Sequence, residues 1–316
     1  MYEIISFNPF ILFFVGCTFL YISSEILVSN SVIIANRFSI PHFIIGCTII
    51  AIGTSLPEIV VSILANIRGN SNIAIGNIVG SNIANIGLVL GVSLFFGSIH
   101  VNKSNNEYLL NTLTLLTLTL SFYLCLFFEI INYIHGFYFI LLYILYFYLY
   151  FKYFRSKLES DNIVSDDSMI FIIMKLVFGF VIIYFGSQFF IDGSIGISEK
   201  FGISNLSVGL TIVAIGTSAP ELFISISSLV KKQGMLALGN IFGSNIANIS
   251  FAIGISTIIK NISIEYGDVI IFNNIMLLLT VLLLLIVVFS KKIDKIYSII
   301  FISIYFVFIY INFMLT

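Results

Sequence analysis

Apolar runs long enough to cross a bilayer recur along the whole of this 316-residue chain. About 20 apolar residues in a helix span the hydrocarbon core. No water reaches that region, so each backbone N–H and C=O must be paired within the protein, which leaves helices or closed barrels. Runs this long, without strict alternation of polar and apolar residues, specify helices. Composition agrees: 59% of residues are apolar, 9% carry charge and mean hydropathy is +1.12. A soluble domain carries about 25% charged residues, and a nucleic-acid binder needs a basic excess that a formal net charge of −1 does not provide. Both classes are excluded. The expected fold is an all-α polytopic membrane protein.

Polar punctuation divides the chain into ten spans, at about 10–36, 41–67, 72–97, 108–128, 133–154, 169–199, 204–230, 235–259, 268–289 and 296–314. The first run lacks the charged n-region and small-residue site of a cleaved signal peptide. Arg155 to Ser168 is the one clearly hydrophilic stretch and reads as a linker. With the N-terminus outside, eleven of the 14 basic residues fall in cytoplasmic segments, leaving Arg68, Lys200 and Lys260 outside. This positive-inside bias predicts a multi-pass protein of the cell (inner) membrane with both termini on the extracytoplasmic side. Cys17, Cys47 and Cys125 lie inside apolar runs and read as packing residues.

Laid over itself with a shift of 163, the sequence repeats. Ala51-Ile-Gly-Thr-Ser-Leu-Pro-Glu58 falls on Ala214-Ile-Gly-Thr-Ser-Ala-Pro-Glu221, and Gly76-Asn-Ile-Val-Gly-Ser-Asn-Ile-Ala-Asn-Ile86 matches Gly239 to Ile249 at ten positions in eleven. The register extends from Gly16 over Gly179 to Ser93 over Ser256. Each half is therefore one five-helix unit: residues 1–154, with its motif at 51–93, then a cytoplasmic linker at 155–168, then residues 169–316, with its motif at 214–256. Five crossings are odd, so the copies have inverted topology, the plan of secondary transporters.

A charge at the bilayer centre costs about 2.5–3.5 kcal/mol on insertion scales. Glu25, Glu58, Asp192 and Glu221 lie within apolar spans. Glu58 and Glu221 occupy the same repeat position, each after a proline. Pro57 cannot donate to the Gly53 carbonyl, nor Pro220 to that of Gly216, so the helix breaks at each Gly-Thr-Ser segment. Irregular backbone at that depth is tolerated where it is buried or lines a cavity. Thr54 and Ser55, and Thr217 and Ser218, accompany the acids. Ser81 and Asn85, like Ser244 and Asn248, are four apart and share one helix face. Together these residues make an all-oxygen cage suited to a hard cation such as Ca²⁺, whereas zinc or copper would call for His or Cys. His42, His100 and His135 read as loop or interfacial residues. Two ionised glutamates balance one Ca²⁺, and three Na⁺ in the same site leave one excess charge.

Other polar and small residues have plainer readings. The Gly76/Gly80 and Gly239/Gly243 pairs read as close helix packing, and an isolated Ser, Thr or Asn as an interhelical hydrogen bond. Glu25 and Asp192 face Gln188 and Ser29 in the repeat register, so they break the symmetry and fit a peripheral gate, a vestibule or an interhelical hydrogen bond.

The segments GTSLPE with GNIVGSNIANI, and GTSAPE with GNIFGSNIANI, resemble the paired alpha-repeats of the sodium/calcium exchanger family within the calcium/cation antiporter superfamily, in its minimal prokaryotic form. That resemblance implies ten helices, the first and sixth long, tilted and sliding against a rigid remainder, around four cation sites near the midplane. It implies Glu58 and Glu221 as central acidic ligands, Thr54, Ser55, Thr217 and Ser218 as hydroxyl ligands, and Ser81, Asn85, Ser244 and Asn248 as ligands from the third and eighth helices. It adds the carbonyls of Ala51 and Ala214 as ligands of flanking Na⁺ sites. Several similar prokaryotic exchangers and the potassium-dependent branch carry Asp in one of the GSNIA-x segments, where this chain has Asn85 and Asn248. That departure argues against K⁺ co-transport.

The expected activity is thus not enzymatic: electrogenic antiport of about three Na⁺ for one Ca²⁺ by alternating access. Ca²⁺/H⁺ exchange through the same glutamates is the alternative, although proton-coupled relatives typically carry GNxxE-type segments where this chain has GTSxPE. A passive cation channel is more remote, since filters usually arise from rings of identical subunits. An intramembrane acidic protease is more remote still, since Asp192-Gly193 has no counterpart in the other half. Expected substrates are Ca²⁺ and Na⁺, with no cofactor, no nucleic acid, membrane lipid as the surroundings and no obligate protein partner evident, which is compatible with a monomer.

Overall fold

A computed structural model describes residues 8–38, 40–67, 69, 71–101, 107–128, 130–154, 168–200, 217–263 and 266–315. The described chain is helical apart from two short ribbons. Helix α1 (Pro9–Arg37) starts on Asn8, whose side chain accepts from the Phe10 N–H, with Pro9 in the first turn, where its missing donor costs nothing. Helices α2 (His42–Thr54) and α3 (Leu56–Ile67) form a bent pair, followed by α4 (Ser71–Ala84), which continues through a π turn (Asn85–Leu90) into Gly91–Ser93. Next come α5 (Glu107–Cys125), α6 (Tyr133–Phe154), α7 (Met169–Lys200) and α8 (Ala219–Val230). Helix α9 (Gly234–Ala247) passes through a π turn (Asn248–Ala252) into Ile253–Ile259, and α10 (Tyr266–Phe289) and α11 (Lys295–Leu315) complete the chain. Among the described residues seven helices are long and apolar enough to cross a membrane, and the α2–α3 pair makes an eighth if counted as one span. Helices α5 and α8 are apolar over shorter stretches, Leu109–Cys125 and Ala219–Val230. The chain is a multi-pass membrane protein.

Helix α3 reverses the polarity of an amphipathic helix in a soluble bundle. On α3 the buried face carries Glu58, Ser62 and Asn66 at helical spacing, whereas Val60, Val61 and Leu64 are exposed. Lipid accepts the apolar face, and the polar face must find partners inside. Helices α4 and α9 are the most enclosed. Helix α11 covers the far half of α4, with Gly87 against Tyr305 and Gly91 against Ile302, and α6 covers the far half of α9, with Gly136 against Thr257 and Gly254 against Ile140.

Two helices stand apart by length. At about 1.5 Å per residue α1 and α7 run about 43 Å and 48 Å, so within a hydrocarbon core of about 30 Å they must lean. They lie antiparallel in close contact: a Cβ on Gly16 would come 2.5 Å from the Phe190 nitrogen, and one on Gly186 would come 3.0 Å from that of Leu20.

Two ribbons tie the halves together. Strand β1 (Ile99–His100) pairs antiparallel with β4 (Lys292–Ile293), and β2 (Ile130–Ile131) with β3 (Ile262–Ser263). Each joins a connection of the first half to one of the second.

Close packing is confirmed for Gly239 and Gly243. Both abut the α2 backbone, and a Cβ on Gly243 would sit 2.5 Å from Cys47 Cα. Gly46 on α2 is equally tight, 2.5 Å from the Leu236 carbonyl oxygen on the same measure. The same expectation for Gly76 and Gly80 finds no neighbour within 4 Å among the described residues. Residues 205–217, which the shift of 163 brings opposite them, fall outside the described residues except for Thr217.

Candidate cation site

The site is built on two helix breaks. Between α2 and α3 the axis turns by 48°, and Ser55, at the turn, has φ −84° and ψ 2°. Ser218, which precedes α8, has φ −84° and ψ 5°. Both lie in the sparsely populated bridge region between helix and strand. The proline two residues later explains each, since it cannot donate to the carbonyl four residues back. Each break puts a glutamate in the first turn of the next helix, Glu58 on α3 and Glu221 on α8. Opposite them, α4 and α9 widen into π turns that begin at Asn85 and Asn248. Such single π turns are frequent at functional sites.

Thr54, Ser55, Glu58, Ser81, Asn85, Thr217, Ser218, Glu221, Ser244 and Asn248 are all at most 6% exposed. The hydroxyls of one break serve the acid of the other. Ser55 Oγ donates to Glu221 Oε1 at 3.0 Å, Ser244 Oγ approaches the same oxygen at 3.4 Å, and Thr217 hydrogen-bonds Glu58. The Thr54 hydroxyl lies 3.3 Å from the Ala51 carbonyl and 3.4 Å from Asn240 Oδ1. Ser81 is buried one turn before Asn85. The Ala51 carbonyl already accepts the Ser55 N–H at 3.0 Å, which leaves its second lone pair. Ala214 lies outside the described residues.

Glu58 Oε2, Glu221 Oε2, Asn85 Oδ1, Asn248 Oδ1 and Ser218 Oγ are buried without a hydrogen-bond partner among the described residues. A buried unpaired polar atom costs about 1–3 kcal/mol, more when charged, and native interiors rarely leave several together. All five are oxygens, whereas the Asn85 and Asn248 nitrogens are both bonded. The two carboxylates are also close enough to repel each other. Unpaired oxygens of this kind are the donor type that a hard divalent cation takes, since Ca²⁺ is bound by six to eight oxygens at about 2.3–2.6 Å.

Sequence reasoning passed over six residues that support this set. Asn77 Nδ2 donates to the Glu58 carbonyl at 3.0 Å and to Ser62 Oγ at 2.8 Å, while Asn240 Nδ2 approaches Ser225 Oγ at 3.5 Å. Asn82 and Asn245 meet across the α4–α9 crossing. Their signal was present, since each repeats at the shift of 163, the asparagines on the helix that carries Asn85 or Asn248 and the serines on the helix that carries Glu58 or Glu221.

The other singled-out residues lie elsewhere. Glu25 accepts from Ser227 Oγ at 2.6 Å and pairs with Lys231 at 2.7 Å, so it makes the interhelical contact that was one of its expected roles. Asp192 is exposed on α7. His42 Nε2 lies 2.9 Å from Asn36 Oδ1, His135 Nδ1 accepts from the Asn132 N–H, and His100 is in β1.

Comparison with known proteins bears on the family and the fold. The chain matches the sodium/calcium exchanger protein family over residues 8–152 and 171–314. An uncharacterized membrane protein of Methanocaldococcus jannaschii is 34% identical over 295 residues, covering 93% of this chain and 94% of the relative. The sodium/calcium exchanger MaX1 of Methanosarcina acetivorans is 30% identical over 298 residues, covering 81% of this chain and 84% of its own. Among solved structures, the sodium-calcium exchanger NCX_Mj soaked with Na⁺ and Sr²⁺ superposes with a TM-score of 0.83 at 32% identity, covering 96% of this chain and 98% of that one. With both halves matched and the fold shared, this chain belongs to the sodium/calcium exchanger family.

Proposed function

We propose that the protein is a secondary active antiporter that exchanges Na⁺ for Ca²⁺ by alternating access, with Glu58 and Glu221 as the central ligands. One observation carries the reading: two buried carboxylates, each hydrogen-bonded by hydroxyls from the opposite helix break, keep unpaired oxygens, and so do Ser218 and the asparagines Asn85 and Asn248, whose π turns contact α8 and α3. The remaining ligands we assign are Thr54, Ser55, Thr217, Ser81 and Ser244, with the carbonyls of Ala51 and Ala214. The names of the related exchangers support Na⁺ and Ca²⁺ as substrates. Two ionised glutamates neutralise one Ca²⁺, so three Na⁺ in its place would move one net charge per cycle.

The same reading assigns ten crossings in two inverted five-helix units, residues 1–154 and 169–316, joined by the cytoplasmic linker 155–168. The ribbons support this by parity. Strands β2 and β3 pair, so they lie on one side of the membrane, and an even number of crossings must separate them. Helices α6, α7 and α9 supply three, and a fourth is assigned to the stretch that ends in α8. With α5 and α10 added, β1 and β4 are likewise six crossings apart. The distribution of basic residues supports a topology with both termini outside the cell membrane.

The deciding experiment is Ca²⁺ flux in proteoliposomes with Na⁺, H⁺ and K⁺ gradients imposed one at a time. Ca²⁺ accumulation driven by Na⁺ alone is expected. Accumulation driven by H⁺ alone would replace Na⁺ coupling with proton coupling, and flux that never exceeds the Ca²⁺ gradient would replace antiport with a passive pore.

A further inference from the structure

The α4–α9 crossing is held by four asparagines in two mirrored chains. Asn82 Nδ2 lies 3.4 Å from the Asn245 carbonyl oxygen, and Asn248 Nδ2 lies 3.1 Å from Asn82 Oδ1. Reciprocally, Asn245 Nδ2 lies 3.4 Å from the Asn82 carbonyl oxygen, and Asn85 Nδ2 lies 2.9 Å from Asn245 Oδ1. We propose that Asn82 and Asn245 are positioning residues that hold Asn248 and Asn85 with their side-chain oxygens toward the transported cation.

The orientation follows from which groups can donate. A backbone carbonyl only accepts, so Asn82 must turn its NH₂ to the Asn245 carbonyl. Its Oδ1 then points to Asn248 and also only accepts, so Asn248 must turn its own NH₂ to it. The atom left over is Asn248 Oδ1, which is buried with no hydrogen-bond partner among the described residues. The mirrored chain leaves Asn85 Oδ1 in the same condition. The point matters because an amide is two-faced: one orientation offers a lone pair to a cation, and the other aims N–H groups at it. A carboxylate needs no such control, since both of its oxygens are ligands. A site that uses amides at both positions therefore needs a device to fix them, and two backbone carbonyls supply it. This role rests on the cation-site reading above and adds to it two residues that need not touch the ion.

The test is a pair of substitutions in the full-length protein. Asn82→Leu, close in shape to asparagine, removes both of its hydrogen bonds and frees the Asn248 amide to turn. In proteoliposomes with a Na⁺ gradient the KM for Ca²⁺ is expected to rise about tenfold, with the maximal rate changed by less than about twofold. The same substitution added to Asn248→Asp should not raise KM, because a carboxylate has no wrong orientation and receives no hydrogen bond from Asn82 Oδ1, which only accepts. A similar rise in both backgrounds would mean that Asn82 acts through packing alone and would overturn the proposal, as would an unmoved KM in Asn82→Leu by itself. Ca²⁺ binding to the detergent-solubilised protein, read by calorimetry, makes the same comparison where flux is too slow. If an Asn82 variant does not fold, Asn245→Leu with and without Asn85→Asp puts the question to the other chain. Absence of Na⁺-dependent Ca²⁺ flux in the unmodified protein refutes the exchange reading, whereas active transport with an unmoved KM refutes the positioning role alone.

Discussion

Replacing Glu221 with glutamine removes one of the two charges that the proposed function sets against the cation while keeping the shape of the side chain. Glutamine retains an oxygen where Glu221 Oε1 accepts from Ser55 and Ser244, so the hydrogen bonds that join the helix breaks survive. What disappears is the attraction between a carboxylate and Ca²⁺. At a contact of about 2.4 Å and an effective dielectric constant of about 20, one unit charge beside another is worth about 7 kcal/mol, and twice that for a divalent ion. Much of this returns as relief of the repulsion from Glu58 and of the cost of burying the charge. If only about 3 kcal/mol remains, the half-saturating Ca²⁺ concentration still rises by more than about a hundredfold. In addition the glutamine NH₂ occupies the position of Glu221 Oε2, which has no hydrogen-bond partner among the described residues, so a donor now points at the cation. The assay is radioactive Ca²⁺ uptake into Na⁺-loaded proteoliposomes at sub-saturating Ca²⁺, with size-exclusion behaviour in detergent as the check on folding. Loss of uptake in a well-folded Glu221→Gln is expected, and equally in Glu58→Gln. Uptake within about twofold of the unmodified protein in either variant would remove that glutamate from the site.

Four other outcomes are expected. Gly243→Ala puts a methyl against Cys47 Cα and the Ala51 side chain, so it should cost about 1–3 kcal/mol and lower the thermal midpoint in detergent; flux should fall too, since α2 carries Thr54. Lys231→Met breaks the ion pair to Glu25, but both side chains are about a third exposed, so the thermal midpoint should move by less than about 3 °C. Three-for-one exchange moves a net charge worth about 2.3 kcal/mol per 100 mV, so Na⁺-driven Ca²⁺ uptake should respond to an imposed potential, and indifference to voltage would exclude that stoichiometry. With amides at both 85 and 248, exchange should proceed at full rate with K⁺ absent from both sides, and a K⁺ requirement would show that an amide suffices where a carboxylate was thought necessary.

The helix breaks were legible because their cause is local. Pro57 and Pro220 each remove a backbone donor wherever they sit, and the glutamate that follows is placed in the next turn by helical spacing alone. The repeat was legible for the same kind of reason, since identity at a fixed shift needs no contact to be seen. The partners of Asn82 and Asn245 were not, because they are backbone carbonyls on another helix and no spacing along one chain reports them. Glu25 shows the same limit: its asymmetry in the repeat was visible, whereas its pairing with Lys231, 206 residues away, is a property of how α1 lies against α8.

The amino-acid sequence by itself determined that the chain is helical and lives in lipid, that its halves are copies, and that two acids, several hydroxyls and two amides could meet a hard cation. Those follow from hydrogen-bond satisfaction, periodicity and charge cost, which act residue by residue. Tertiary structure decided which oxygens stay unpaired and which way the amides face. A side-chain oxygen becomes a ligand only when every nearby donor is already engaged, and that depends on all the helices around the crossing at once.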